Sequence, residues 1–533
     1  MIRLLFFYYF SVFKVSSKLA RGSFLIFIGN IVFRFGGYIY RFLMASLLGP
    51  ASYGILTIAI QFQGIFQVLS AAGLPPAIAK HISEYVALDE EALARQTIYT
   101  SLKIMIFLGI FFGLIMFFFV APWLTFDFFN KPEALVPLQF IGLITPFSVI
   151  VGAFRGSFQG VYKMEYILAT RTVEQIFMII CATLLVLLGL SAAGAVLGSV
   201  LGFAASAVLS VILFVKYMGK YIPQPKKEHK FSIKEELKLA KRLIFFALPV
   251  TITALAEMGI YSIATFVMGI FLASSLIGYF GAADPIARLP LVISISVATT
   301  ILPASSEAFS TKNQYLLNKY VFSAFKYTMI FVIPICIGIA MFSGPIMSLV
   351  YFTRPEYVLG ATALSILVVG MAFYSMFAIS SSIIQGIGSP KIPMYVLLFG
   401  SALTLILNWV MVPIYGIEGG AIATTIACFI MMIPMLHLTF KLTKVRVPYS
   451  TFGKIILASL IMSIAILFIP QNSYGLVVGI ILCPIIYLIV LTLLKTFDES
   501  DILTIRRFSN KFGPLAKSTH KILNIIERIN NRK

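Results

Sequence analysis

The chain has 533 residues, of which 60% are hydrophobic and 11% charged, with a formal net charge of +21. A typical soluble domain is about 45–50% apolar and about 25% charged, so the charges here are too few to cover a water-soluble surface, and a soluble fold is excluded. A cation excess of this size points to nucleic acid in a soluble chain, but here the positions of the cations report membrane topology and no nucleic-acid partner is expected.

Stretches of about 20 apolar residues cross the hydrocarbon core of a bilayer. Fourteen such stretches centre near residues 35, 65, 114, 146, 178, 205, 257, 289, 338, 372, 404, 430, 462 and 484, which predicts an all-α integral membrane protein. Alternating them from an inside N-terminus puts nearly every Lys and Arg in cytoplasmic segments. Lys131 and Arg354 fall outside, and Arg34, Arg41 and Arg288 fall within spans. The positive-inside rule then places both termini in the cytoplasm and the chain in the cell membrane.

In chain order, residues 1–13 are apolar but too short to span. The cluster Lys14, Lys18 and Arg21 follows them, the reverse of a signal peptide, so the segment reads as an interfacial anchor. In the first span, Asn30, Arg34, Gly37 and Arg41 are spaced by four, three and four residues and lie on one helical face, opposite an apolar side. An arginine facing mid-bilayer hydrocarbon costs about 2.5–3.5 kcal/mol. The stripe is therefore expected to face a water-filled cavity or carboxylates, unless the arginines snorkel. Guanidinium also suits phosphate, since its planar fork donates two parallel hydrogen bonds and its charge survives burial.

Segments 82–100 and 304–323 mix charged and apolar residues and read as paired amphipathic connectors. Arg155, in Phe154-Arg155-Gly156-Ser157-Phe158-Gln159-Gly160 at the end of the fourth span, is placed to touch a headgroup or anionic lipid. Arg171 and Glu174, opening the fifth, read as an interfacial pair. Residues 216–242 carry nine basic side chains, and Ser232 with Glu235 has a capping-box pattern before a helix entering the seventh span. This linker either lies on the anionic inner leaflet or is a solvated loop that enforces topology. Glu257 stands alone among apolar neighbours in the seventh span, as a proton or sodium carrier or as the partner of an arginine. In the eighth, Asp284 and Arg288 are four apart across Pro285, with Pro290 following; they read either as a self-neutralised pair or as part of a cavity wall in a broken helix.

Internal matches recur at one offset. Ser157-Phe158-Gln159-Gly160-Val161 aligns with Ile383-Ile384-Gln385-Gly386-Ile387, and Ala193-Gly194-Ala195-Val196 with Gly419-Gly420-Ala421-Ile422, both at a shift of 226; Tyr53-Gly54 aligns with Ile277-Gly278 at 224. The shift covers six crossings, an even number, so the repeat is parallel, with a pseudo-two-fold along the membrane normal. This gives a first six-helix lobe over 1–217, a basic linker over 218–242, and a second lobe over 243–442. Two further spans occupy 443–495 and a basic cytoplasmic tail 496–533.

Cys181, Cys336, Cys428 and Cys483 sit in apolar runs and imply no disulfide framework. His81, His229, His437 and His520 are scattered without metal-ligand spacing. No phosphate-binding GxxxxGK[ST] loop or nucleophile elbow occurs, and the outer loops carry only Asp127, Glu133, Glu356 and Glu418 as acids, so no enzyme activity is expected.

Four sets of residues carry a family resemblance: Leu48-Gly49-Pro50-Ala51-Ser52-Tyr53-Gly54; Gly73-Leu74-Pro75 with Glu84-Tyr85; Phe154-Arg155-Gly156 with Gln159-Gly160; and Pro285-Ile286-Ala287-Arg288-Leu289-Pro290 with Leu302-Pro303 and Glu307. Through them the chain resembles the polysaccharide transporter branch of the multidrug/oligosaccharidyl-lipid/polysaccharide exporter superfamily, the group of stage V sporulation protein B. The resemblance implies a two-lobed flippase, working as a monomer, that moves a polyprenyl-phosphate-linked sugar across the membrane by alternating access. It assigns Arg34, Arg41 and Arg288 to the substrate's phosphates, with Asn30, Asp284 and Arg155 as further substrate-binding candidates. Glu257, Asn408 and Thr424 are implied for Na+ or H+ coupling, although Val412 stands where relatives that bind sodium have an acid; no other cofactor is implied. A drug or cation antiporter of the same fold is the alternative, and it would need an acidic cavity, whereas Glu257 and Asp284 are set against three arginines. A multi-pass enzyme of polysaccharide assembly would need catalytic outer loops.

Overall fold

The computed structural model describes residues 35–217, 232–445, 449–497, 501, 502 and 506, and of residues 2–34 the backbone alone. Inside hydrocarbon every backbone polar group must be satisfied within the chain, and among the described residues all regular structure is helical. The first half runs α1 (Ile2–Ala71), α2 (Leu74–Ala87), α3 (Glu91–Ile115), then the short α4 (Ala121–Trp123) between π-helical turns, α5 (Leu135–Gly160), α6 (Met164–Leu185) and α7 (Ser191–Tyr217). The second runs α8 (Ile233–Phe271), α9 (Ser274–Ala287), α10 (Leu291–Ser310), α11 (Gln314–Met341), α12 (Ser343–Val350), α13 (Ala361–Gly386) and α14 (Lys391–Thr443), followed by α15 (Tyr449–Leu467) and α16 (Ser473–Leu493).

Among the described residues, eleven helical stretches are long and apolar enough to cross a membrane. Three of them, Phe35–Ala87, Met164–Tyr217 and Lys391–Thr443, run to 53, 54 and 53 residues. At about 1.5 Å per residue that is far beyond the roughly 30 Å of a hydrocarbon core. Each is turned by a glycine with positive φ: Gly49 at 73°, Gly189 at 92° and Gly416 at 60°. Each of the three is long enough for two crossings. The segments 82–100 and 304–323 each consist of the end of one helix, a left-handed turn and the start of the next.

The duplication is visible in backbone detail. Helix α5 (Leu135–Gly160) reappears as α13 (Ala361–Gly386), displaced by 226 residues at both ends. Left-handed turns recur at matching places: Asp89 and Lys312, Tyr162 and Gly388, Gly189 and Gly416. Packing recurs as well. A Cβ on Gly160 would come 3.1 Å from the Ala79 carbonyl, and one on Gly386 would strike the Ser305 side chain, again 226 residues on in both partners.

Contacts divide the chain into Met1–Ala282 and Ala283–Lys533, so the division falls inside α9. Sequence duplication and packing thus mark different boundaries, because α8 is fastened along its length to the first set of helices. Ser232 and Glu235 form the expected capping box at its start. Glu236 accepts from Lys103 at 2.8 Å, Arg242 donates to the Tyr85 hydroxyl at 3.1 Å, and Leu239, Leu243 and Ala247 join a core with Leu74, Ile78 and Phe154. The part of the linker from Ser232 onward packs on α2 and α3; residues 218–231 are outside the described ones. Further along, Ser262 donates to Gln61 Oε1 at 2.8 Å. At the far end Lys131 Nζ donates to the Gly269 carbonyl at 2.7 Å, capping a helix C-terminus with a cation. Burial holds the Lys131 ammonium below the ordinary lysine range.

At that same far end the second arm of α1 crosses the start of α9 at backbone contact. A Cβ on Gly54 would strike the Ser274 carbonyl, and one on Gly278 would strike the Pro50 carbonyl. Both Gly54 with Gly278 and Pro50 with Ser274 are related by the shift of 224. In Ala283–Lys533, α13 packs along α14 and α10, α11 along α10 and α13, and α15 and α16 close on α11 and α12.

Replacing Gly54 or Gly278 by Ala should destabilise the protein by about 1–3 kcal/mol or more, since neither carbonyl it meets can give way. Gly338→Ala, in open space within α11, should be neutral or stabilising by up to about 1 kcal/mol from helix propensity. Thermal unfolding of the purified variants in detergent reads the difference; equal melting temperatures for the three would contradict the crossing.

Candidate functional site

Helix α1 sorts its side chains into three strips. Gly36, Tyr40 and Met44 form the packed one: a Cβ on Gly36 would lie 2.7 Å from Gln175 Oε1, the Tyr40 hydroxyl donates to the Ala195 carbonyl at 2.9 Å, and Met44 is fully buried. Phe35 and Ile39 are exposed on one flank. Gly37 and Arg41 lie on the other flank at 100° per residue. Nothing stands within 4 Å of where a Gly37 Cβ would be, and Arg41 is half-buried. The described part of the expected stripe thus occupies an open face; Asn30 and Arg34, like the anchor over 1–13, lie outside the described side chains. In the same unit Glu257 is exposed on α8, next to buried Ala256.

Arg155 has a different environment. Its Nη2 donates to Glu174 Oε2 at 2.7 Å and to Ser206 Oγ at 3.3 Å, and its Nε to Thr170 Oγ1 at 3.1 Å. The Glu174 side chain is 3% exposed. The cluster joins α5, α6 and α7, and Glu174, expected to pair with Arg171 at the interface, forms its close ion pair with Arg155.

In Ala283–Lys533, Asp284 and Arg288 are brought together: Arg288 Nη2 and Nε lie 2.6 and 2.7 Å from Asp284 Oδ1, with 6% of the Asp284 and 23% of the Arg288 side chain exposed. The helix loosens there, with turns at Leu289 and Pro290 before α10. Pro285 and Pro290 supply the break, since each lacks an N–H. Asn408 and Thr424 are buried on the two arms of α14. Asn408 Nδ2 donates to the Thr404 carbonyl at 2.8 Å while its Oδ1 has no hydrogen-bond partner, and Thr424 donates to the Gly420 carbonyl at 2.9 Å. Val412, one turn beyond Asn408, is fully buried.

A further buried pair was not expected from the sequence. Lys326 Nζ and Asp501 Oδ2 lie 2.6 Å apart with their side chains 1% and 5% exposed. The available signal was a lysine at the mouth of an apolar span with no acid nearby in sequence.

A duplicated, all-helical membrane protein with an arginine on an open helix face has the architecture of a transporter. Residues 19–309 match the polysaccharide biosynthesis protein family, to which this chain belongs; residues 249–410 also match the MatE family. A membrane protein of Methanocaldococcus jannaschii, MJ1375, is 27% identical over 77% of this chain and 95% of its own length. The lipid II flippase MurJ of Bacillus subtilis is 22% identical over 77% of this chain and 80% of its own. Among solved structures, lipid II flippase MurJ in an inward closed conformation superposes with a TM-score of 0.69 at 22% identity, covering 88% of this chain and 98% of that one. An inward-facing multidrug resistance transporter of the MATE family gives 0.67 at 17% identity, covering 77% and 94%.

The ion pair between Arg155 and Glu174 carries a stability prediction. Glu174→Leu, which leaves the arginine without its carboxylate, should cost about 3–5 kcal/mol, whereas Arg155→Met combined with Glu174→Leu should recover most of that loss. Thermal unfolding of both variants tests this; a double variant as unstable as the single one would contradict it.

Proposed function

We propose that the protein is a flippase that carries a lipid-linked oligosaccharide from the cytoplasmic to the outer leaflet of the cell membrane. The supporting observation is its similarity along most of its length to a lipid II flippase, together with an arginine on an open helix face where a drug-cation carrier would need acids. A probable low-salt glycan biosynthesis flippase of Haloferax volcanii, 27% identical over 37% of this chain, supports the same substrate class.

In this reading both termini are cytoplasmic and the protein acts as a monomer. The crossing of Gly54 and Gly278 is the closed outer end, and transport exposes the substrate site first to one leaflet and then to the other. Arg41 and Arg288, with Arg34 and Asn30, hold the pyrophosphate or phosphate of the headgroup through charge-assisted hydrogen bonds, each worth about 1.5–3 kcal/mol net. Asp284 holds Arg288 in place until phosphate competes for it. Arg155 serves the packing of its own unit. A proton or sodium ion at Glu257, or the membrane potential, supplies the bias toward release, because a carrier that holds its cargo too tightly does not turn over.

The test is flipping of a fluorescent lipid-linked sugar in proteoliposomes. Arg41→Ala and Arg288→Ala should each reduce the rate by about tenfold or more, as loss of one charge-assisted contact predicts. Lysine at either position should retain part of the activity, since it keeps the charge but not the fork. Wild-type transport in a folded Arg34, Arg41, Arg288 triple-alanine variant would refute the assignment.

A further inference from the structure

Helix α8 sorts its charged side chains by face. Counted at 100° per residue, Leu239, Leu243 and Ala247 centre the side that packs on the first set of helices, and Lys234, Lys238, Lys241 and Phe245 centre the opposite side. The two acids of the first turn are engaged elsewhere: Glu235 closes the capping box with Ser232, and Glu236 accepts from Lys103 at 2.8 Å and from Thr100 at 3.3 Å. The three lysines are exposed and make no ion pair or hydrogen bond among the described residues. The charges on their face of the helix are all positive.

Directly beyond the lysines the same face turns apolar. Phe245, Leu248 and Ile252 follow at helical spacing and are 82%, 56% and 37% exposed. At 39 residues, α8 is about 58 Å long, roughly twice the thickness of a hydrocarbon core. Part of it therefore stands outside hydrocarbon, and the polar first turns are that part. Lysine at such a boundary lays its stem along apolar surface and puts its ammonium at the level of the lipid headgroups. The packed side keeps this face in place, through Glu236 on Lys103 and Arg242 on the Tyr85 hydroxyl.

We infer that this face of α8, Lys234, Lys238 and Lys241 with Phe245 and Leu248, is a binding site for an anionic phospholipid. The headgroup phosphate lies among the three ammonium groups, and an acyl chain runs along the apolar continuation. A phospholipid is the ligand that fits, because it presents an anion and then hydrocarbon in the order in which the helix presents cations and then apolar side chains. A soluble phosphate would leave Phe245 and Leu248 uncovered. Each basic residue near an anionic lipid surface adds a factor of about five in affinity, so the three together favour an anionic over a neutral headgroup by about a hundredfold. The site is independent of the substrate assigned above.

Binding of phosphatidylglycerol and phosphatidylcholine to the detergent-purified full-length protein, followed by native mass spectrometry, tests the site. Lys234→Gln, Lys238→Gln and Lys241→Gln combined should weaken the tightest phosphatidylglycerol binding by about tenfold or more, with phosphatidylcholine binding and the lipid-free melting temperature unchanged. Arginine at the same three positions should preserve the binding. Phe245→Ser with Leu248→Ser should weaken both lipids several-fold, and glycerol phosphate, which has the anion without the chains, should fail to displace phosphatidylglycerol. A triple-glutamine variant that binds phosphatidylglycerol as the wild type does would overturn the site. So would displacement by glycerol phosphate, which would assign the lysines to a soluble anion.

Discussion

The fold turns on one close approach, the crossing of α1 and α9 where Gly54 meets the Ser274 carbonyl and Gly278 meets the Pro50 carbonyl. In a bilayer, helices gain little from mutual hydrophobic burial, so association rests on how closely backbones can approach. Any side chain at either glycine would hold the helices apart. Because each glycine meets the residue four positions before the other, the contact is self-complementary in the way a two-fold interface is, with the two repeats taking the place of two subunits. Other tethers gather at the same end: Lys131 on the Gly269 carbonyl, Ser274 on Glu133 and Ser191 on Ser52. The first two join α8 and the start of α9 to the loop before α5, which is why packing assigns these second-repeat elements to the first unit; the third joins α7 to α1 within the first repeat.

Charges inside the membrane meet different fates, and the distinction bears on function. Arg155 with Glu174, and Lys326 with Asp501, are desolvated pairs that connect helices within one unit. Asp284 with Arg288 is a pair within one turn of a broken helix, with 23% of the arginine side chain exposed. Arg41 stands on an open flank of α1 whose neighbour Gly37 leaves room for a ligand. Arg155, a further substrate-binding candidate from the sequence, forms its ion pair with Glu174 inside the first unit.

Much of this was legible in the sequence, because hydropathy and the positive-inside rule act on composition and the duplication preserves spacing. The ends of α5 and α13 differ by the same 226 residues that Gln159 and Gln385 do. The capping box at Ser232 was legible because its two partners are three residues apart. Less visible was anything that depends on which helices become neighbours. Glu174 lies nearer in sequence to Arg171 than to Arg155, yet its ion pair with Arg155 crosses between helices, and Lys326 waits for a carboxylate from beyond the last span. The attachment of α8 to the first unit was hidden for the same reason, since Gln61 and Ser262 carry no pattern that announces one another.

The central claim, that the crossing at Gly54 and Gly278 is a closed end that must part during transport, is tested most directly by locking it. Ser274 Oγ and Glu133 Oε1 lie 3.1 Å apart beside the crossing, on partly or fully exposed side chains. In a background with the four native cysteines replaced, Glu133→Cys with Ser274→Cys would be joined by a short thiol-specific bifunctional reagent cleavable by reductant. Flipping of a fluorescent lipid-linked sugar should then stop in proportion to the cross-linked fraction and return on reduction. Undiminished flipping by fully cross-linked protein would contradict the claim.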